Sequence, residues 1–296
     1  MGKFDLAATL CLAGTIAGTA CTVTGTAEEV ARNEKEVVGR EVIAEQRAAL
    51  TAATAGEGFG PQAPRDIDAS GGANDRVFEA APPFGRMNLC NIHFHEGAEH
   101  RGGEFTTYAG NGNGEGYGSG YLYDGQLTEA ELAPLDVAVG EGEQGDLQPG
   151  DTIEIHYVHT TAQVKPGPTL GSCLSEAVAN PQLRVEAFVY VLVNDDSAAD
   201  FAELAALEVV DGYHQAVNLQ VADAGTPVAY AGSTTGPGYN TEGSPFQVSW
   251  SVYPRVTKVD ISTVARWLDD NLFDEGGAQG VRNLVVNPEL LSPIGG

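Results

Sequence analysis

Residues 87–95 read Met-Asn-Leu-Cys-Asn-Ile-His-Phe-His, and residues 152–159 read Thr-Ile-Glu-Ile-His-Tyr-Val-His. The first run alternates in short apolar steps. The second is strongly β-prone and follows a Gln148-Pro149-Gly150-Asp151 turn. Both read as strands. Side chains two apart on a strand share a face, so His93 and His95 point the same way. Glu154, His156 and Val158 share one face of the second strand; Ile155, Tyr157 and His159 share the other. Two imidazoles from one strand and a third, His156, from the other form a three-histidine set with one open position. That is the ligand pattern of a catalytic zinc. A His-x-His pair alone is a weak sign, because histidines are common in cores and on surfaces. A second strand histidine with a glutamate two residues before it, on the same face, makes the sign stronger.

Working outward, Leu183–Asn194 is a longer apolar run that reads as a central strand, and Phe246–Tyr253 reads as another. Residues 111–120 read as a glycine-rich loop. Residues 262–272 read as a helix opened by Ser262, with Val264, Trp267 and Leu268 on one side. Residues 28–54 are charged and alanine-rich, suited to a surface helix or a stalk. Residues 55–75 are rich in Gly, Pro and Ala and read as a linker or extended arm. The expected fold is mostly β (α+β): a large twisted, mainly antiparallel central sheet with a few short peripheral helices. The expected organisation is a leader over residues 1–20, a helical or linker arm over 21–75, and the main domain over 76–296.

The chain has 296 residues, with 15 basic and 41 acidic side chains and a net charge of −26. This acidity excludes a general affinity for nucleic acid or anionic membrane, because phosphates are repelled over most of the surface. The 38 glycines and 15 prolines favour many turns and short strands over a helical bundle. Beyond the N-terminus no run reaches the ~18 apolar residues of a spanning helix. Lys3 followed by the small apolar run Leu6–Ala20 resembles a secretory signal peptide, with cleavage after Ala20 or Ala27. Cys21 as a lipid-anchored cysteine is the alternative, but the usual leucine before the small residues is missing. Cys11 and Cys21 fall to the leader. Cys90 and Cys173 remain as an even pair in the body, either one disulfide made outside the cytoplasm or two buried thiols. The expected location is secreted or periplasmic.

Asn91–His95 and Glu154–Thr160 together resemble the zinc-binding strands of the carbonic anhydrases, in the α-class order of two strand histidines followed by a third. The short gap from His95 to Glu99-His100 is closer to the δ-class. The likeness continues in order through the chain. Leu183–Val193 resembles the strand whose valine lines the substrate pocket. Tyr230–Pro237 (YAGSTTGP) resembles the family's YPGSLTTPP segment. Gln247–Val252 resembles the strand with a tryptophan under the pocket. Val259–Gly277 and Leu284–Ile294 resemble the C-terminal helix and tail. The likeness spans about Phe84 to Ile294.

The resemblance implies an α-carbonic-anhydrase-like fold and zinc-dependent, reversible hydration of carbon dioxide to bicarbonate and a proton. It implies His93, His95 and His156 as zinc ligands, Asn91 as the carbonyl that orients His93, and Glu154 as the acceptor for His156. Glu99 matches the buried glutamate that accepts from a gatekeeping threonine. Read without gaps, that threonine is Thr235, with Thr234 as the alternative. Val158, Val185 and Trp250 match the apolar wall for CO₂. Plainer roles exist for each: Glu99 paired with Arg101, the valines as core, the threonines as turn residues. His100, His159 and His214 are assigned to structure. The chain departs from the family in two places. No histidine precedes His93, so the proton must leave through His214, a tyrosine, a carboxylate or buffer. Extra residues around 238–243 separate the threonine segment from Trp250. Two rivals remain: a cupin-like metalloprotein with Glu99 as an additional ligand to iron or manganese, and a carbonic-anhydrase-like binding domain that has lost zinc.

Overall fold

In the computed structural model, which describes residues 37–57, 63–140, 144–235, 241–282 and 284–295, the β-prone runs form strands. The leader read over residues 1–20, with Cys11 and Cys21, lies outside the described residues. In chain order the elements are helix α1 (Arg40–Thr54), β1 (Phe78–Glu79), β2 (Asn88–Glu96), β3 (Thr107–Asn111) and β4 (Ser119–Leu122). There follow β5 (Thr152–Thr160), β6 (Leu183–Val193), α2 (Phe201–Leu204), β7 (Leu207–Val210), β8 (Tyr213–Ala216) and β9 (Val228–Thr235). The chain continues with β10 (Gly243–Asp260), α3 (Ile261–Asp269), β11 (Gln279–Gly280) and β12 (Ile294–Gly295). The glycine-rich stretch read as a loop is the tip of the β3–β4 hairpin, and its two ends are strand.

The central sheet is mixed, with six strands in the order β11-β2-β5-β6-β10-β9. The β2–β5, β5–β6 and β10–β9 pairings are antiparallel; β6–β10 and β11–β2 are parallel. A parallel pair needs a crossover rather than a hairpin, and between β6 and β10 that crossover carries α2, the β7–β8 hairpin and β9. Every residue of β5 is buried, as befits an interior strand made almost wholly of Ile, Val, Tyr, Thr and His.

Register decides what each row of the sheet presents. His93 lies opposite His156, which lies opposite Ala187. One row away, Asn91, Val158, Val185, Trp250 and Tyr230 run straight across five strands. On the other side, His95 faces Glu154 and then Val189. Because these positions differ by two along each strand, they share one face. The opposite face carries Ile92, Phe94, Ile155, Tyr157, Phe188 and Tyr190, packed with Phe201 and with Val264 and Trp267 of α3. Fully burying such a side chain contributes about 1.5–3 kcal/mol. One face thus holds the main apolar core, and the other carries the histidines beside a second buried apolar cluster that includes Val158, Val185, Val189 and Trp250.

Helix α3 starts one residue before the expected position. Asp260, the last residue of β10, caps it by accepting from the Ser262 backbone N–H, and the Ser262 hydroxyl turns back to the same carboxylate. A carboxylate outcompetes a hydroxyl for this place, since it also answers the positive end of the helix dipole. Residues 63–69, within the Gly/Pro-rich stretch, are packed into the body. Ala63, Arg65 and Ile67 are buried, and Asp66 caps a single helical turn. Cys90 and Cys173 form a disulfide, joining β2 to the turn at Leu170–Cys173. No helix among the described residues is long and apolar enough to cross a membrane.

His159, on the face opposite the metal-ligating pattern, is fully buried. Its Nδ1–H donates to the Tyr157 carbonyl, and burial holds its pKa down at about 3. An unfolded chain protonates this ring near 6.5, so the unfolded state takes up the extra proton between those values. Stability then falls as pH drops through that window, by up to about 1.4 kcal/mol per pH unit. In denaturant titrations at several pH values, His159→Phe should flatten this part of the acid limb. An unchanged slope would refute the assignment.

Candidate metal centre

The three histidines read from strand alternation come together on the face opposite the main apolar core. Each ring is held by a hydrogen bond at one nitrogen, which leaves the other nitrogen free. His93 Nδ1–H donates to Asn91 Oδ1 at 2.7 Å. His95 Nδ1–H donates to the Gly280 carbonyl of β11 at 3.0 Å. His156 Nε2–H donates to Glu154 Oε1 at 2.8 Å. The remaining lone pairs, on His93 Nε2, His95 Nε2 and His156 Nδ1, converge, with the three rings within 4.8 Å of one another through a ligand atom each.

The closest approach tests whether a metal fits. His156 Nδ1 and His93 Nε2 are 3.2 Å apart. With their protons engaged elsewhere, both atoms are acceptors, so no hydrogen bond joins them. Two ligands at 2.0–2.1 Å from a tetrahedral zinc are about 3.3 Å apart. The separation is therefore that of two corners of a tetrahedral ligand set. Burial pushes the His93 pKa well below its ordinary value, and the neighbouring His156 and His95 push it further. Burial also lowers His95, against the opposing pull of Glu99. Neutral rings are what a cation requires.

Behind the rings lies a second layer of hydrogen bonds. Burial pushes the Glu154 carboxyl up, but His100 and His156 outweigh it and hold the group well below the usual carboxylate range. Glu154 accepts from His156, from His100 Nδ1–H at 2.6 Å and from the His100 backbone N–H at 3.0 Å. His100 Nε2 in turn accepts from the Tyr230 hydroxyl. Tyr230 is fully buried, which raises its pKa well above the ordinary value and keeps it a donor. The guanidinium of Arg65 sits 3.8 Å above the Tyr230 ring, a cation–π contact. Arg65 also donates to the Ala231 carbonyl. Burial lowers its pKa to about 10, so it stays charged at neutral pH.

Asn91 is fixed from both ends, since its Nδ2 donates to the Gly167 carbonyl while its Oδ1 faces His93. Partners of this kind set the tautomer and tune metal affinity. Asn91→Ala should weaken metal binding about 10–100-fold, measured by chelator competition. Unchanged affinity would count against the role.

Glu99 is buried and does not join the three lone pairs. Its oxygens lie 3.5 Å from His95 Nδ1 and 3.8 Å from His156 Nε2, the nitrogens turned away from the convergence point. It accepts from the Arg282 backbone N–H at 2.7 Å. Arg101 pairs with Asp66 rather than with Glu99. Val158, Val185 and Trp250 line a cavity of about 270 Å³ together with Leu183, Val248 and the three histidines. The Trp250 ring meets that of His156 edge-on at 5.1 Å. Thr234 and Thr235 end β9, but their side chains lie outside the described residues. His214, on β8, does not line this cavity.

Strand spacing reveals the histidines but not His100, Tyr230, Arg65 or Gly280. The Glu99-His100 pair is a visible signal for His100. Arg65 and Gly280 reach the site only by tertiary folding, and nothing near them in the chain marks them.

The model of the delta carbonic anhydrase family matches residues 84–263. This is more than half of the chain, which therefore belongs to the delta carbonic anhydrase family and is a carbonic anhydrase enzyme. Similar solved structures include the α-carbonic anhydrase of Thermovibrio ammonificans, at 12% identity and a TM-score of 0.29, over 84% of this chain and 92% of that one. Carbonic anhydrase Cah3 of Chlamydomonas reinhardtii matches at 17% identity and a TM-score of 0.28, over 80% of this chain and 89% of that one. The α-carbonic anhydrase of Photobacterium profundum matches at 16% identity and a TM-score of 0.25, over 84% and 93%. No curated protein matches the chain.

Proposed function

We propose that this chain holds one zinc ion on His93, His95 and His156 and hydrates carbon dioxide reversibly to bicarbonate. One observation carries the reading: three imidazole lone pairs meet in a cavity with an apolar wall of Val158, Val185 and Trp250, each ring fixed at its other nitrogen. A zinc ion held by three histidines lowers the pKa of a coordinated water to about 7 and so supplies hydroxide at neutral pH.

The chain's own residues do the rest. Asn91, Glu154 and the Gly280 carbonyl hold the rings in the tautomers that leave the lone pairs inward. Val158, Val185 and Trp250 form a wall suited to CO₂, which is uncharged and weakly polar. On the family's pattern Glu99, which accepts from the Arg282 backbone N–H, would also accept from the Thr235 hydroxyl and so let that hydroxyl aim the attacking oxygen at the substrate carbon; Thr234 is the alternative. The position of Glu99 behind the rings disfavours a cupin-like site in which it is a ligand. The complete set of three histidines disfavours a domain that has lost its metal. The disulfide supports an extracytoplasmic location, secreted or periplasmic. The leader over residues 1–20 and the arm over 21–75 remain part of this reading.

Elemental analysis of the purified protein and stopped-flow CO₂ hydration test it together. Zinc near one equivalent with rapid hydration is expected. Iron or manganese in its place, without hydration, would overturn it.

A further inference from the structure

Hydration of one CO₂ by one water releases one proton with each bicarbonate, so every turnover needs a base that can take a proton from the cavity and pass it to solvent. Among the described residues lining the cavity, the titratable side chains are the three histidines, Glu99, Glu275 and Arg282. The histidines have one nitrogen committed to a partner and the other to the convergence point. Glu99 is buried behind them. Arginine stays protonated and accepts nothing. Of the two carboxylates among the described residues lining the cavity, Glu99 is buried and Glu275 is half-buried, so Glu275 is the one that faces both cavity and solvent.

The turn that carries Glu275 is built to hold it. Asn271 Oδ1 accepts from the Phe273 and Glu275 backbone N–H groups, and Asn271 Nδ2 donates to the Glu275 carbonyl at 2.8 Å. The carboxylate accepts from Gln279 Nε2 at 3.3 and 3.4 Å. Gln279 is the residue of β11 that pairs with His95. The carboxylate is thus tied to the strand end beside a histidine of the cluster without itself being part of it.

We infer that Glu275 is the proton-relay group of this enzyme, carrying the proton released in CO₂ hydration from the cavity to solvent. The inference rests on the proposed function. An O–H bond of a cavity water breaks, an O–H bond forms on the Glu275 carboxylate, and a buffer base then removes that proton. The neighbours favour the task. Partial burial raises the Glu275 pKa, Gln279 opposes this, and the adjacent Asp274 adds to it. The other charged or titratable groups facing the same cavity are His93, His95, His156, Glu99 and Arg282. A carboxylate whose pKa is raised toward the operating pH accepts a proton more readily, which is the first half of a relay.

The test compares zinc-loaded wild type and Glu275→Gln by stopped flow, in dilute buffer and in concentrated imidazole-type buffer. The glutamine keeps the size of the side chain and its place beside Gln279. In dilute buffer kcat should fall on the order of a hundredfold or more, with kcat/KM and zinc content unchanged. Concentrated buffer should restore kcat, and Glu275→His should restore it without added buffer. In the zinc-free protein, carbon-13 NMR of the Glu275 carboxyl should show titration above the ordinary glutamate range. An unchanged kcat in dilute buffer, a parallel loss of kcat and kcat/KM, or titration at the ordinary value would each overturn the inference. A wild type without zinc or hydration activity would instead refute the proposed function, and this inference with it.

Discussion

His156→Ala should yield a folded protein that retains no zinc and hydrates CO₂ no faster than buffer alone. His156 is the histidine contributed by the fully buried β5, and its two nitrogens serve different partners. Removing it takes away one of three lone pairs and leaves two imidazoles on a single strand. Without the ion a water returns from a pKa of about 7 to its ordinary, far higher value, so hydroxide is no longer supplied at neutral pH and the rate should drop by at least about three orders of magnitude. The fold should survive because Glu154 keeps both donors from His100. Losing one of three hydrogen bonds to a buried carboxylate costs about 1–3 kcal/mol. Elemental analysis, stopped flow and denaturant unfolding of the same preparation check all three points. A variant with full zinc and full activity would remove His156 from the ligand set.

The second large effect concerns stability. The disulfide closes a span of 83 residues. In the chain-entropy account, cross-linking a loop of that length destabilises the unfolded state by about 4.5 kcal/mol. Replacing both Cys90 and Cys173 with alanine should lower the unfolding free energy by about that much. A loss below about 1 kcal/mol would show that the unfolded chain is already constrained there. The effect should also reach the metal. Cys90 precedes Asn91, and its carbonyl accepts from the Gly167 backbone N–H, whose own carbonyl holds the Asn91 amide. Zinc affinity should therefore weaken in the double variant even at temperatures where it stays folded.

The fold and site differ in how much of them could be read from the chain. Alternation along residues 88–96 and 152–160 exposes both strands and the shared face of the histidines, because a strand's period is local. The apolar run at Leu183–Val193 declares a central strand for the same reason. The parallel pairing of β6 with β10 has no local signal, since it depends on a crossover of about fifty residues. The helix cap fell to Asp260 rather than Ser262 because one residue of strand end became helix entry, a boundary that pattern alone does not resolve. At the site, Asn91 and Glu154 lie two residues from the histidines they meet, so spacing points to them. Arg65 and Tyr230 are 165 residues apart in sequence and meet only through packing. Glu275 was invisible because its access to the cavity comes from the β11 strand returning to the sheet edge.

That return of β11 to the edge beside β2 sets an order for biosynthesis. All three histidines have left the ribosome long before Gln279 and Gly280 are made. Until those two residues dock against His95 and Glu96, no carbonyl holds the proton on His95 Nδ1, and Glu99 lacks the Arg282 backbone donor. A nascent chain therefore carries every metal-binding side chain while the ring orientations that favour the ion are still missing. Metal capture in the proper geometry therefore follows the synthesis of β11, when that strand closes the sheet edge beside β2.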